Sequence, residues 1–243
     1  MKVTLIDCTG FSSSDHMYAA DILIFTKNTR LQMSASTLED VKSKPLDWKM
    51  KELEYMSNTI PSSWEFVDYT FMIEGVGRGF THQFVRTRTG SYAQQSMRVT
   101  DMSEFDYVTP DKIYEMPDLT EAYTAAMQAI NDFYHMLIDL GAEIQDARGV
   151  LPTNICTNIV AKFNLRTLAE MAQKRSSIRT QDEYRKVLDA IINQVIQKHP
   201  WAQVFLRNRK MDAAAQLEQF IINYAGNEEQ KNCLIKLVDI LRG

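Results

Sequence analysis

Residues 65–98 read EFVDYTFMIEGVGRGFTHQFVRTRTGSYAQQSMR. The opening part, EFVDYTFMIE, is rich in β-branched and aromatic residues and predicts a strand over 65–74. Residues 76–89 then carry two stripes at helical spacing. Val76, Phe80 and Phe84 form an apolar one, and Arg78, His82 and Arg86 a polar one. Gly90 is the expected helix stop. From 81 to 98 the segment holds His82, Arg86, Arg88 and Arg98 among hydroxyls and amides, with no carboxylate. An ordinary surface helix balances such charges with Glu or Asp.

Outward from this stretch, VTLID at 3–7 predicts a short strand. Residues 36–57 predict helix, broken or restarted at Pro45. A long amphipathic helix is expected over 119–141, beginning near Asp118, and a short strand over 157–163. Further helices are expected at 165–175, 180–198 and 211–224. The fold class is α/β (α+β): a helix-rich single domain over 1–243 with a small central sheet.

The chain has 243 residues, 45% of them hydrophobic, enough for a sizeable core. Its net charge of −4 argues against a nonspecific nucleic-acid binder, so the arginine cluster reads as a site in a mildly acidic protein. No apolar run approaches the ~20 residues of a membrane span. The start, MKVTLIDCTG, lacks a basic region followed by an apolar stretch, so no signal peptide is expected. Cys8, Cys156 and Cys233 are widely spaced, and none of the four histidines is paired at ligand spacing. Neither a disulfide framework nor a protein-bound metal is expected. These features suit a reduced, cytoplasmic enzyme or binding protein, with no nucleic-acid or membrane partner.

Arg86 and Arg88 are two residues apart, which on a helix turns them about 200° from each other. Either the helix unwinds there or each serves a different anionic group. The following GSYAQQSMR adds a close-approach Gly90, hydroxyls at Ser91 and Ser96, and Arg98. Guanidinium groups, hydroxyls and loop amides suit phosphate recognition. The plain alternative is a solvated basic helix end, paired with acidic residues elsewhere or at a subunit contact. Phe84 and Tyr92 read as packing residues.

A second cationic block lies in NLRTLAEMAQKRSSIR, residues 164–179. Leu165, Leu168, Ala169 and Ala172 form one face, and Arg175, seven residues after Leu168, is expected to continue it. A cation on a buried stripe is costly unless it is paired or meets a ligand. Arg166, Glu170 and Lys174 recur every four residues and read as an exposed ion-pair ladder. Arg148, in DARGVLP, is expected at a helix C-terminus.

Arg86-Thr87-Arg88, seven residues, then Ser96 resembles the Arg-His-Arg signature of the flavin-dependent thymidylate synthases, the ThyX family. TFMIEGVGRGFTHQFVR at 70–86 is similar to the strand and helix leading into that signature, and GSYAQQSMR to its nucleotide loop. ARGVLP at 147–152, NLR at 164–166, Arg175 and HPWAQVF at 199–205 follow in the family's order, so the resemblance covers roughly 58–205. It implies methylation of dUMP to dTMP. FAD would carry the hydride, NADPH reduce the flavin, and methylenetetrahydrofolate supply the carbon. It also implies a homotetramer with shared active sites. The implied nucleotide-binding residues are Gln83, Arg86, Gln94, Ser96, Arg98, Arg148 and Arg175. Arg175 is the implied catalytic residue, set against the pyrimidine. Ser62, Arg86, Thr87, Arg88, Gln94, Asn164, Arg166 and Glu170 would lie along FAD.

The chain departs from the family pattern at several points. Thr87 replaces the signature's central His, Asn58 and Ile60 stand where a His is usual, and Val99 replaces a frequent Tyr. Glu170 stands where Asn or His is frequent. These changes concentrate on the flavin and folate side. They leave open C5 hydroxymethylation, action on dCMP, and a non-catalytic nucleotide-binding relative. A classical thymidylate synthase needs a thiol nucleophile. Cys156 is the one candidate near the arginine blocks, and it reads as a small buried hydrophobe.

Overall fold

The computed structural model describes residues 1–28, 33–100, 102, 104–175, 180–207, 214, 217–218, 220–222 and 226–242. Four strands form one small antiparallel sheet in the order β1-β2-β4-β3. They are β1 (Lys2–Cys8), β2 (Asp68–Gly77), β3 (Ser91–Gln94) and β4 (Cys156–Asn164). The remaining regular structure is helical, as the helix-rich α/β reading expected. No helix among the described residues is long and apolar enough to cross a membrane. The chain divides into two compact units, residues 1–3 with 72–161, and residues 4–71 with 162–243.

The unit of residues 72–161 contains α4 (Arg78–Phe84), α5 (Asp111–Tyr114), α6 (Pro117–Asp139) and α7 (Ile144–Ala147). Alternation along the strands buries Ile73 on β2, and Thr157, Ile159 and Ala161 on β4. The helical stripe of Val76, Phe80 and Phe84 is fully buried, each side chain contributing about 1.5–3 kcal/mol. Within β2, Gly75 adopts a positive φ of 65°, where a side chain would strain the backbone, and its amide bonds to Asn158 Oδ1 at 3.0 Å. α4 begins only after Gly77, because Val76 and Gly77 still belong to the strand. It ends at Phe84 with Val85 as its cap, so the helix expected over 76–89 is much shorter. Gly90 closes the turn beyond it, donating its amide to the Thr87 carbonyl at 3.0 Å.

The unit of residues 4–71 and 162–243 contains α1 (Tyr18–Lys27), α2 (Ala35–Lys42), α3 (Leu46–Met56), α8 (Leu165–Arg175), α9 (Asp182–Lys198), α10 (Gln203–Leu206) and a helix at Glu228–Arg242. Pro45 caps the start of α3, the restart its missing N–H predicts. The strand expected from 65 begins instead at Asp68. Pro61–Phe66 forms a 3-10 helix with proline at its first position, held by Trp64 Nε1 donating to the Met56 carbonyl at 3.1 Å. The helix expected at 211–224 falls largely outside the described residues.

Two buried polar arrangements shape this second unit. Lys49 Nζ lies 2.7 and 2.9 Å from the two carboxylate oxygens of Asp21 and also donates to the Lys42 carbonyl at 3.0 Å. Burial pushes the Asp21 carboxyl pKa up, against the pull of Lys49. The second arrangement centres on His199. Its Nδ1 is 3.0 Å from the Tyr69 hydroxyl, and its ring stacks on Trp201 at 5.3 Å. Trp201 and Trp64 both pack edge-on against Phe205.

Burial, with Lys198 and His16 nearby, lowers the His199 pKa to about 4, so the folded state holds it neutral at pH 7. The unfolded chain takes up this proton near pH 6.5. Stability from this group is therefore complete above pH 6.5 and declines as pH falls toward 4, by roughly 3 kcal/mol in all. In urea denaturation at a series of pH values, His199→Gln should remove this part of the acid dependence. An unchanged slope between pH 6.5 and 4 would show that other groups cause it.

Candidate functional site

The site residues in 72–161 follow from the junction of β2 and α4. The backbone amides of Arg78 and Gly79 donate to the carbonyls of Ile155 (3.1 Å) and Thr153 (2.6 Å). Seven residues later the helix is over, and Arg86 and Arg88 stand on the turn that follows. The sequence left open whether the helix unwinds at these two arginines, and here it does. Tyr92 pins the turn. Its hydroxyl lies 2.7 Å from the Thr87 carbonyl and 3.1 Å from that of Phe84, and its ring meets Phe84 edge-on at 5.6 Å. Phe84 and Tyr92 are thus packing residues, as expected.

Gln83 and Thr87 are half-buried, and Arg86 and Arg88 are exposed. Gln94 Nε2 donates to Thr81 Oγ1 at 3.1 Å and lies 3.4 Å from Thr157 Oγ1, so its amide is held by two buried hydroxyls. Beyond β3, Ser96 Oγ accepts from the Arg98 amide at 3.2 Å. Arg98 Nε donates to Gln145 Oε1 at 3.2 Å, and Arg148 Nε donates to the Gln145 carbonyl at 3.1 Å. One residue, Gln145, therefore brings together two arginines 50 positions apart. Arg148 caps α7, the helix-end role expected of it. Arg78, half-buried, donates Nη2 to the Gln95 carbonyl at 2.9 Å, and burial together with the charge of Arg148 lowers its pKa. Arg78, Arg86, Arg88, Arg98 and Arg148 form no ion pair among the described residues.

The site residues of the other unit show the opposite electrostatics. Asn164 Oδ1 accepts from the Thr167 amide at 2.8 Å and caps α8. Arg166 bonds Glu65 at 2.7 Å and Glu170 at 3.2 Å, and Glu170 also meets Lys174 at 3.6 Å. The ladder read from the spacing is present, with Glu65 added to it. Ser62 is exposed on the 3-10 helix. Leu165, Leu168, Ala169 and Ala172 are buried, but Arg175 is exposed, so it does not continue their face as expected. The apolar stripe stops at Ala172, and Arg175 ends the helix with its guanidinium 5.5 Å from the Tyr184 ring.

Sequence reasoning missed Gln145, Glu65 and Tyr184. Gln145 stands three residues before Arg148, a helical neighbour that could have been noticed. Glu65 lies 101 residues from Arg166, and no local pattern connects them.

Fold and side chains together describe a helix-rich α+β chain that concentrates uncompensated arginine in one stretch and neutralises it in another. The chain belongs to the family described as Thymidylate synthase complementing protein, whose model matches residues 5–201. It is 37% identical to the flavin-dependent thymidylate synthase of Nitratidesulfovibrio vulgaris over 136 residues, 53% of this chain and 56% of that protein. It is 39% identical to the enzyme of the same name from Geobacter sulfurreducens over 123 residues, 50% of this chain and 53% of that protein. The match to the one from Thermococcus onnurineus is 35% over 130 residues, 52% of this chain and 53% of that protein. The chain spans about half the length of the curated relatives it matches.

Tyr92→Phe keeps the ring contact with Phe84 and removes the hydroxyl from the turn. A loss of about 1 kcal/mol in urea denaturation is expected, the net worth of one neutral hydrogen bond. No change would mean that the turn holds itself without Tyr92.

Proposed function

We propose that the chain methylates a pyrimidine deoxynucleotide at C5, converting dUMP to dTMP. FAD is the redox cofactor, NADPH its reductant and methylenetetrahydrofolate the one-carbon donor. The observation that carries the reading is the set of arginines in 72–161 that no carboxylate neutralises among the described residues. A nucleotide phosphate supplies the charge they lack, and the relatives' name supports thymidylate and flavin as the chemistry.

In this reading Arg98, Arg148 and Ser96 hold the phosphate, with Gln83, Arg86 and Gln94 along the nucleotide. Arg175 faces the pyrimidine and stabilises negative charge on the ring, an oxyanion-type role. On the cofactor side, Arg88 fits an anionic diphosphate as an uncompensated cation, and Asn164 retains its amide nitrogen as a donor. Ser62 and Thr87 contribute hydroxyls. Arg166 fits as a hydrogen-bond donor only, because Glu65 and Glu170 already neutralise it. The chemistry that bound FAD supplies is hydride transfer. Cys156, half-buried on β4, has no task in this scheme. Residues 1–243 act as one catalytic domain in a cytoplasmic homotetramer with shared sites.

A second reading is a non-catalytic nucleotide-binding relative, or one acting on dCMP or adding a hydroxymethyl group. The ion pairs that occupy Arg166 favour it, since they sit on the cofactor side alone. Incubation with dUMP or dCMP, methylenetetrahydrofolate, FAD and NADPH, followed by mass analysis of the nucleotide, separates these readings.

Arg88→Ala should weaken flavin retention and Arg98→Ala nucleotide binding, each by about 1.5–3 kcal/mol for a lost charged hydrogen bond. Equal effects of both variants on both ligands would contradict the two-sided assignment. Arg175→Lys keeps the charge and loses the planar fork. It should fold, retain flavin and lose turnover by about 100-fold or more. Near wild-type turnover would make Arg175 merely structural.

A further inference from the structure

We propose that Arg78, to which the family resemblance gave no role, is a positioning residue of the phosphate cluster and its third cation. The proposal rests on the nucleotide reading above. Arg78 opens α4, and its Nη2 holds the Gln95 carbonyl at 2.9 Å. The next residue is Ser96, whose hydroxyl holds the Arg98 amide. Arg78 thus anchors the start of the loop that carries both expected phosphate ligands. At the loop's far end, Arg98 and Arg148 meet at Gln145.

The charge of Arg78 is poorly compensated within the protein. Its Nε is closed off from solvent and has no hydrogen-bond acceptor among the described residues. Arg148 repels it, and burial works in the same direction. The carboxylate that enters this network is Glu143. It is held by Gln145 Nε2 at 2.6 Å and makes no ion pair with any of the three arginines among the described residues. A desolvated guanidinium beside another cation is unfavourable unless an anion joins them. A terminal phosphate monoester, carrying nearly two charges at neutral pH, matches that need. A nucleoside does not.

The test is equilibrium binding of dUMP, deoxyuridine and inorganic phosphate to the full chain and to Arg78→Met and Arg78→Lys, with melting curves for each protein. Arg78→Met should weaken dUMP and phosphate binding about tenfold or more, while leaving deoxyuridine binding as it was. Arg78→Lys should recover part of the dUMP affinity, which a purely structural role would not predict. If dUMP affinity stays within about twofold of wild type in Arg78→Met, the proposal is overturned. Should Arg78→Met fail to fold, Arg78→Gln keeps a donor for Gln95 without the charge, and full dUMP affinity there overturns it equally. A wild-type chain that binds phosphate through Arg78 but shows no binding of dUMP would support the cluster and sink the nucleotide reading.

Discussion

Two backbone hydrogen bonds, from the amides of Arg78 and Gly79 to the carbonyls of Ile155 and Thr153, fix the place where β2 turns into α4. Buried amides must find acceptors, and here the chain just before β4 provides them. This has a chemical consequence. The first amides of a helix are often free to hold an anion, but in α4 the first two are already engaged. The proposed anion recognition in this part of the chain therefore falls to side chains. The arginines that follow, on the turn and the loop, are the groups available.

Their lack of carboxylate partners among the described residues is not a shortage of carboxylates. The chain has 31 acidic residues against 27 Lys and Arg. Elsewhere the acids are used: Asp21 is buried against Lys49, Asp68 meets Lys162, and Glu65 and Glu170 share Arg166. The Arg166 group is partly exposed, so those pairs add little to stability. Their larger effect is local, because they cancel the positive charge of Arg166, whereas the arginines of the other stretch keep theirs. The same residue type is thus set to two different tasks by its neighbours.

Much of this was legible in the sequence, for identifiable reasons. α8 and α9 have one clean apolar face each, and their bounds follow from it. α1 was missed because YAADILIFTK is buried on nearly all sides, from Ala19 to Thr26, and shows no polar stripe to set a period. β3 was missed because four residues are too few to show alternation. α4 was overextended because its polar stripe runs on in sequence to Arg86 and the expected stop is Gly90, while Tyr92, outside the helix pattern, holds the chain in a turn beyond Phe84. Arg175 was misplaced by extending a face one turn past the last residue that packs. For the site, the cations were visible as composition. The local ladder of Arg166, Glu170 and Lys174 was legible too, but long-range pairing such as Glu65 with Arg166 was not, because only the folded chain makes it.

The short α4 also removes a geometric difficulty. On a continuous helix, Arg86 and Arg88 would face away from each other, and no single ligand could meet both. On a turn, the backbone no longer imposes that separation. Arg98 and Arg148 show what the protein does with such freedom. Each ties its Nε to Gln145, which leaves the terminal N–H groups of both guanidiniums unengaged among the described residues. Those terminal groups form the planar fork that fits two oxygens of a phosphate. Fixing the stem of each arginine before the ligand arrives lowers the ordering entropy lost on binding. Gln145 does this without adding charge, so orientation is gained while the positive field is kept. A glutamate in the same place would still hold Arg98 through its side chain but would cancel the charge of that arginine, as Glu65 and Glu170 do for Arg166.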